Sequence, residues 1–228
     1  MKILHVISSL NPEEGGPVEN VRQYCANYKL KNIKADVLCS DSPKDKWIKK
    51  EKKINIYAVG PVKFKYSFNL KLFRWLKLNI NNYDCVIING VWQFHSVAAR
   101  YVCLKNKIPF YLFTHGMLDP YFSKDIIKYF KQYIYWFLFE NKVLRDAHKV
   151  IFTTKLEKQL AKISFRPYRC KGITIGYGIN RPKSKYFKSN IFLKRYNLKK
   201  KKYLLYISRF HKKKGLELLI KSFKNSLL

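Results

Sequence analysis

Residues 2–21, KILHVISSLNPEEGGPVENV, combine a short apolar run, a turn with two glycines and the start of a helical pattern. The apolar run at residues 3–8 has the length and the β-branched content of a buried strand. The helical pattern at residues 18–30 follows Pro17, and proline suits the first turn of a helix because it has no backbone N–H to leave unpaired. The stretch therefore predicts a strand, a turn and a helix in that order, which is the repeating unit of an α/β sheet.

The same alternation continues along the chain. Further apolar, β-rich runs predict strands at residues 35–39, 54–59, 85–89, 110–114, 150–153, 173–175 and 203–208. Further helical patterns lie at residues 68–80, 94–105, 124–144, 155–163 and 216–227. Several runs are apolar on consecutive residues, as in strands that are buried on both faces. This alternation predicts an α/β fold with a Rossmann-like, doubly wound parallel sheet.

The sequence divides into three predicted parts. Residues 1–180 form a first α/β domain. Residues 181–202 contain Pro182, ten Lys or Arg and no acidic residue, and we interpret them as a basic linker with a short helix around residues 191–196. Residues 203–228 supply one strand and one helix, so we expect them to begin a truncated second Rossmann-like domain.

The chain is strongly basic, with 47 Lys and Arg against 14 Asp and Glu and a formal net charge of +33 at pH 7. A genome with AT-rich codons favours Lys, and it also favours the Asn, Ile, Tyr and Phe that are abundant here. Residues 158–216 contain no acidic residue, which codon bias explains poorly. The functional interpretation is a polyanionic neighbour: an anionic membrane, a nucleic acid or a phosphorylated substrate.

Several classes of protein are disfavoured. The five cysteines are scattered without CxxC or Cys/His spacing, so we expect a reduced, cytoplasmic protein with no metal site and no cofactor. No run approaches the length of about 20 apolar residues that a membrane span needs. No helix-turn-helix, zinc-finger or RNA-binding motif is visible, which leaves only nonspecific binding of nucleic acid open.

Sheets of this kind bind ligands at the carboxyl ends of their strands, so the turns after the strands are the candidate sites. After the first strand, Gly15 and Gly16 would let a ligand approach the backbone, and the helix behind them favours phosphate. The alternative is a flexible connection. After the last strand, Arg209 and Lys214 suit a phosphate, because Arg binds it through two hydrogen bonds and Lys adds a compact charge. The alternative is a solvated basic turn.

The turn after the fourth predicted strand, NGVWQFH, contains Asn89, Trp92 and His95. These side chains are candidates for contact with a ligand at the edge of the sheet. The alternative is that Trp92 only packs and that His95 only opens the next helix.

The turn after the fifth predicted strand, THGMLDP, contains His115 and Gly116. A histidine at this place can hydrogen-bond a hydroxyl or a phosphate, or transfer a proton near neutral pH. The alternative is a histidine with a structural role in the turn.

Residues 128–142, KYFKQYIYWFLFENK, predict a helix with many aromatic side chains and flanking lysines. Packing in the core is one explanation. The other is a face on a membrane surface, with aromatic rings in the headgroup layer and lysines against anionic lipid.

Taken in order, these segments resemble the family-4 (group 1) glycosyltransferases of the GT-B fold. ISSLNPEEGGPVENV is similar to the glycine loop after the family's first strand, and VIINGVWQFH is similar to its fourth strand and turn. THGMLDPYFSK is similar to the RGML-x-PW segment of one polysaccharide-building branch, with His115 where Arg often stands. VIFTTKLEKQ, ITIGYGIN and YISRFHKKKG are similar to the end of the family's N-terminal domain, to its IPNGID and to its VGRLHPKKG.

The resemblance implies a retaining transfer of a hexose from a nucleoside-diphosphate sugar, without a required metal. Together with the resemblance, the lysine-rich composition and the aromatic helix favour a growing, lipid-linked oligosaccharide or surface polysaccharide as the acceptor. It implies that the donor diphosphate is bound by Gly15, Gly16, Arg209 and Lys214. His115 would be the catalytic residue beside the transferred sugar or the acceptor. The remaining candidates for contact with the sugar or the acceptor are Asn89, Trp92, His95 and Gly116.

The family's second domain carries a Glu-x7-Glu motif, which does not occur in this sequence. We therefore expect a truncated enzyme that is inactive alone, or half of an enzyme whose donor domain comes from a separate chain. We also expect an anionic membrane surface as a partner, with the protein peripheral on its cytoplasmic face. Two alternatives stay open: a non-catalytic module that binds acceptor or membrane, and a nonspecific nucleic-acid binder.

Overall fold

The computed structural model describes residues 1–28, 31–62, 66–120, 126–178, 189–198 and 203–226. The chain separates into two compact units, Met1–Ile179 and Asn180–Leu228. Of the predicted linker, residues 181–188 and 199–202 lie outside the described residues. The short helix predicted within the linker is formed at Ser189–Arg195.

Seven parallel strands form one sheet in the first unit. In chain order they are β1 (Lys2–Ile7), β2 (Lys34–Cys39), β3 (Asn55–Ala58), β4 (Cys85–Asn89), β5 (Phe110–Phe113), β6 (Lys149–Phe152) and β7 (Gly172–Thr174). Their spatial order is β3-β2-β1-β4-β5-β6-β7. The predictions for these strands are confirmed to within one residue at each end. The direction of winding reverses between β1 and β4, where an open α/β sheet forms a crevice for ligands.

Helices connect the strands of the first unit. They are α1 (Gly16–Tyr28), α2 (Lys46–Lys50), α3 (Leu70–Asn79), α4 (Phe94–Lys105), α5 (Ile126–Tyr135), α6 (Asn141–Asp146) and α7 (Lys155–Ser164). Between α5 and α6 the helix widens to π geometry at Trp136–Glu140, so the single helix predicted at residues 124–144 is built from three segments over its described part. The second unit contains α8 (Ser189–Arg195) and α9 (Leu216–Asn225). Across the described ranges, no helix is both long enough and apolar enough to cross a membrane.

The alternation of side chains along the strands divides the core into two clusters. On β1, Leu4 and Val6 belong to the larger cluster and Ile7 belongs to the smaller one. Helix α3 packs on the larger cluster through Leu72, and α1 packs on the smaller cluster through Val21. Both faces of the sheet are therefore covered by helices, which confirms the doubly wound arrangement and explains the continuous apolar runs.

The strand predicted at residues 203–208 is not formed, which corrects the prediction for the start of the second unit. Tyr203, Leu204 and Ile207 are exposed. A strand needs a neighbour to pair its backbone N–H and C=O groups, and the described residues of the second unit contain no strand that serves as one. The helix predicted at residues 216–227 is formed as α9.

Candidate functional site

Polar side chains from three turns meet at one edge of the sheet. Asn89 is the last residue of β4, His115 lies two residues beyond β5, and Tyr177 lies three residues beyond β7. The carboxyl ends of parallel strands share an edge, so long separations in sequence become contacts here. Asn89, His115 and Gly116 were predicted from the sequence, whereas Tyr177 was not.

His115 is the centre of this cluster. Its backbone φ of 52° lies in the left-handed region, and its ring stacks on Phe113 with 4.2 Å between ring centroids. Its Nδ1 atom lies 2.7 Å from the Tyr177 hydroxyl oxygen, and its Nε2 atom lies 3.2 Å from Asn89 Oδ1. Burial, with a smaller contribution from His5, lowers the pKa of His115 to about 3. The ring is therefore neutral at neutral pH.

Asn89 joins the cluster to two buried histidines. Its side-chain Nδ2 lies 3.0 Å from the Ile87 carbonyl oxygen and 3.3 Å from His5 Nδ1. Its backbone carbonyl oxygen lies 3.0 Å from His95 Nε2. His5 and His95 are fully buried, and burial lowers the pKa of each ring to about 4. Neutral imidazole rings thus support Asn89 from inside the sheet.

The structure corrects the direct ligand contact expected of His95, because this ring has no exposed surface. Helix α4 begins at Phe94 and turns His95 inward toward Asn89. The Trp92 ring is used for packing: its indole N–H donates to the Met117 carbonyl oxygen at 3.0 Å, and it meets Phe165 edge-on. His95 and Trp92 therefore support the site through their contacts with Asn89 and Met117.

A buried carboxylate, that of Glu157, fixes the turn that carries His115. It accepts hydrogen bonds from the Gly116 backbone N–H at 2.8 Å and from the Thr114 hydroxyl. It also accepts from the backbone N–H and the hydroxyl of Thr153, each at 2.6 Å. Thr154 caps α7 by accepting from the Glu157 N–H, so the T-x-x-E sequence is the signal that identifies this helix start.

The glycine turn after β1 lies beside Tyr177. Gly15 has a φ of 77° and donates its N–H to the Pro12 carbonyl oxygen, which ends a short 3-10 turn before α1 begins at Gly16. A Cβ atom placed on Gly16 would lie 4.0 Å from Tyr177 Cε2, and one on Gly15 would meet nothing within 4 Å. The structure thus brings Gly16 to the same edge as His115, with open space over the backbone.

A groove borders the same turn, and the sequence did not point to it. The groove has a volume of about 500 Å³ and is lined by Asn11, Pro12, Glu13, Arg22, Lys46, Trp47, Lys50 and Glu51. The Arg22 Nε and Glu51 Oε2 atoms pair at 3.6 Å. An aromatic ring among several charged groups suits a polar ligand with an apolar face, such as a saccharide.

The second unit holds the two predicted phosphate ligands on its own turn. Arg209 and Lys214 are exposed, and Gly215, with a φ of 67°, leads into α9. The Tyr206 hydroxyl donates to the Lys214 carbonyl oxygen at 3.2 Å. Among all the residues that the structure describes, no three His, Cys, Asp or Glu side chains are grouped to hold a metal ion.

The comparisons with known proteins show the fold. No protein-family model matches the chain, and no curated protein sequence is significantly similar to it. Anabaena Alr3699/HepE, solved in complex with UDP and glucose, has a TM-score of 0.66 at 16% identity, over 98% of this chain and 57% of that one. Staphylococcus aureus MnaA, solved with UDP, has a TM-score of 0.54 at 17% identity, over 86% of this chain and 51% of that one.

The chain therefore spans somewhat more than half the length of these two proteins. Their fold is GT-B, and the Rossmann-like α/β fold predicted from the sequence is confirmed. At these identities the likeness shows the fold alone.

Proposed function

We propose that this chain is the acceptor-side part of a retaining family-4 glycosyltransferase. The reaction moves a hexose from a nucleoside-diphosphate sugar to a growing, lipid-linked saccharide of the cell surface. The observation that carries the proposal is the meeting of Gly16, Asn89, His115 and Gly116 at the switch point of the sheet, where such folds bind nucleotides. A protein of the same fold was solved with UDP and glucose, which supports this choice of ligand.

In this proposal the donor diphosphate lies against the glycine turn. The open backbone at Gly15 and Gly16 leads into a helix of 13 residues, α1, whose free N–H groups and dipole favour an anion. In the second unit, Arg209 and Lys214 are exposed cations, and they are the two side chains that the sequence predicts for the donor diphosphate. Their charge would stabilise the leaving nucleoside diphosphate as its bond to the sugar breaks.

His115 and Gly116 are the proposed contacts of the transferred sugar. The His115 ring is neutral and is held by Asn89, so it borders the sugar without delivering a charge. The attacking hydroxyl comes from the acceptor, which we assign to the groove that contains Trp47 and Arg22. That hydroxyl attacks the anomeric carbon from the face that the diphosphate leaves. The new carbon–oxygen bond forms as the bond from that carbon to the diphosphate oxygen breaks, and the hydroxyl proton passes to an oxygen of the leaving diphosphate.

Binding of UDP-glucose to the 228-residue chain tests this function, with His115→Ala and His148→Ala as matched variants. His148 is exposed and precedes β6, at the opposite edge of the sheet. We expect calorimetry to show binding by the wild type and by His148→Ala, with about tenfold weaker binding by His115→Ala. Equal binding by both variants, or no binding of UDP-glucose by the wild type, would contradict the proposal.

A second candidate, a module that binds an anionic membrane, is favoured by one surface. Phe130, Ile134, Phe137 and Leu138 are 65%, 45%, 59% and 46% exposed and follow the i, i+4, i+7, i+8 spacing of one helix face along α5 and the π segment. Exposed Lys131 is part of the same helix. Aromatic side chains with lysines beside them suit the headgroup layer of an anionic bilayer.

Vesicle binding tests this surface, which we call the aromatic stripe (Phe130, Ile134, Phe137 and Leu138). We expect the chain to sediment with phosphatidylglycerol vesicles, and Phe130→Ser/Phe137→Ser to bind several-fold less. Leu78→Ser is the control, because Leu78 is 82% exposed but lies on α3. If both variants lost the same amount of vesicle binding, the aromatic stripe would not be the surface that binds the membrane. Release of UDP from UDP-glucose with an acceptor then separates an enzyme from a binding module.

A further inference from the structure

The hydrogen bonds of Asn89 fix the direction of its side-chain amide. Its Nδ2 atom lies 3.0 Å from the Ile87 carbonyl oxygen and 3.4 Å from the Val6 carbonyl oxygen. Carbonyl oxygens only accept hydrogen bonds, so the NH2 group must face them. The amide oxygen Oδ1 therefore faces His115 Nε2, 3.2 Å away. Because Oδ1 also only accepts, the proton of the neutral His115 ring is on Nε2.

This tautomer decides the role of Tyr177. With its proton on Nε2, His115 has a bare Nδ1 that accepts a hydrogen bond, and the donor 2.7 Å away is the Tyr177 hydroxyl. Burial raises the pKa of Tyr177, which keeps that hydroxyl protonated and able to donate. Both ring nitrogens of His115 are therefore used inside the protein, and the Tyr177 oxygen keeps lone pairs that accept from a third group.

Tyr177 is also the accessible member of this chain of groups. Its side chain is 44% exposed, whereas Asn89 is buried. Its ring centroid is 5.8 Å from that of His115, and its Cε2 atom is 4.0 Å from where a Cβ on Gly16 would lie. A ligand that enters over the glycine turn thus meets Tyr177 before it meets His115.

We propose that Tyr177 determines specificity at the sugar site, because its hydroxyl oxygen accepts a hydrogen bond from a hydroxyl of the transferred sugar. His115 orients this oxygen by accepting the Tyr177 hydroxyl proton at Nδ1. This inference rests on the proposed function. A sugar hydroxyl donates a proton and fits such a partner. A phosphate oxygen does not fit, because two acceptors would then face each other.

The first test is the tautomer of His115 in the free protein, by long-range ¹H–¹⁵N NMR of the imidazole rings. We expect a protonated Nε2 and a bare Nδ1 in the wild type. In Tyr177→Phe the proton stays on Nε2, because Asn89 is unchanged, and the Nδ1 resonance shifts as its hydrogen bond is lost. A proton on Nδ1 in the wild type would overturn the inference, since Tyr177 would then accept from His115.

The second test compares UDP-glucose and UDP as probes for the wild type, Tyr177→Phe and Tyr101→Phe. Tyr101 is 52% exposed on α4 and serves as the control for loss of a phenolic hydroxyl. We expect Tyr177→Phe to bind UDP-glucose about 3- to 10-fold more weakly and UDP unchanged. Unchanged UDP-glucose binding, or equal weakening of both probes, overturns the role of Tyr177.

Failure of the proposed function would give a different result from failure of the role of Tyr177. If the wild type binds neither probe, the assignment to a nucleotide sugar fails. Glucose alone, added at high concentration and followed through the His115 ring nitrogens, then decides the present inference. A shift that is lost in Tyr177→Phe supports a sugar contact at this place, and no shift overturns it.

Discussion

The turn after β5 and the turn before α9 both follow an apolar run and contain a histidine and a glycine, yet they are held in different ways. The first is fixed from three directions, by Asn89, Tyr177 and Glu157. The second has short-range bonds, such as the one between Tyr206 and Lys214, eight residues apart. The difference teaches that such a turn becomes a fixed site where other strands, turns and helices of the same unit supply its partners.

Hydrogen exchange should show the largest difference between these two regions. The strand before the first site, β5, pairs with β4 and β6, whereas residues 203–208 form no strand. We expect amides of β4 and β5 to exchange at least about 10³-fold more slowly than those of residues 203–208, because strand amides exchange only when the domain opens. Exchange measured by mass spectrometry checks this. Equal protection in the two regions would contradict this difference, because amides of residues 203–208 would then need a pairing partner.

Removal of the carboxylate that fixes the first turn should have the next largest effect. Glu157→Ala leaves the Gly116 N–H and both donors of Thr153 without their acceptor, and it removes the shorter hydrogen bond of the Thr114 hydroxyl. We expect the free energy of unfolding to fall by about 3 kcal/mol. Urea unfolding followed by tryptophan fluorescence measures it, since all four tryptophans belong to the first unit.

The control for that measurement is Glu217→Ala in α9. Glu217 is exposed, so its loss should change the unfolding of the first unit by less than about 0.5 kcal/mol. If the two variants lost the same stability, the turn after β5 would not depend on its buried acceptor. The contrast between the two regions would then have no energetic basis.

The strands of the sheet were predictable because their signal is local. Runs such as residues 85–89 are apolar on consecutive positions, as in a strand covered on both faces. The run at residues 203–208 has the same pattern and forms no strand, because pairing depends on a partner that a local pattern does not specify. A hydrophobic run therefore predicts a strand only when its neighbours in the sheet are also present.

The site was predicted less completely, since its contacts join distant residues. His115 and Tyr177 are 62 residues apart, and Gly116 and Glu157 are 41 apart. Nothing local distinguishes His95 from His115, as each follows a buried strand. The difference arises when α4 turns His95 into the core, while the left-handed φ of His115 keeps its ring at the edge of the sheet.

The first unit also contains a buried acid that should make its stability depend on pH. Glu140 lies in the π segment, and its Oε2 atom accepts from the Trp92 N–H at 3.2 Å and from the Ser96 hydroxyl at 3.1 Å. Burial raises the pKa of Glu140 to about 8, whereas an unfolded glutamate has a pKa of about 4.3. The folded state therefore holds the proton more tightly, and its stability falls as pH rises toward 8.

The difference between the wild type and Glu140→Gln from pH 6.5 to 8 isolates this effect, because the buried histidines stabilise both proteins equally as the pH rises from 6.5. Relative to Glu140→Gln, we expect the wild type to lose about 2 kcal/mol of unfolding free energy over this range. Glu140→Gln should lose much less, and the exposed Glu217→Gln should behave like the wild type. The same pH slope in Glu140→Gln would show that its carboxyl group ionises normally.

The smallest effect on stability is expected at the second turn, from Arg209→Ala and Lys214→Ala. Both side chains are exposed, so the unfolding free energy should change by less than about 0.5 kcal/mol. Binding of UDP should nevertheless weaken about tenfold in each variant, since each removes a charge proposed for the diphosphate.

Lys221→Ala is the matched control, because it removes an exposed charge from α9 itself. If it weakened UDP binding equally, the general positive charge of the chain would explain the affinity. A loss confined to Arg209 and Lys214 would mean that this exposed turn still binds its ligand selectively.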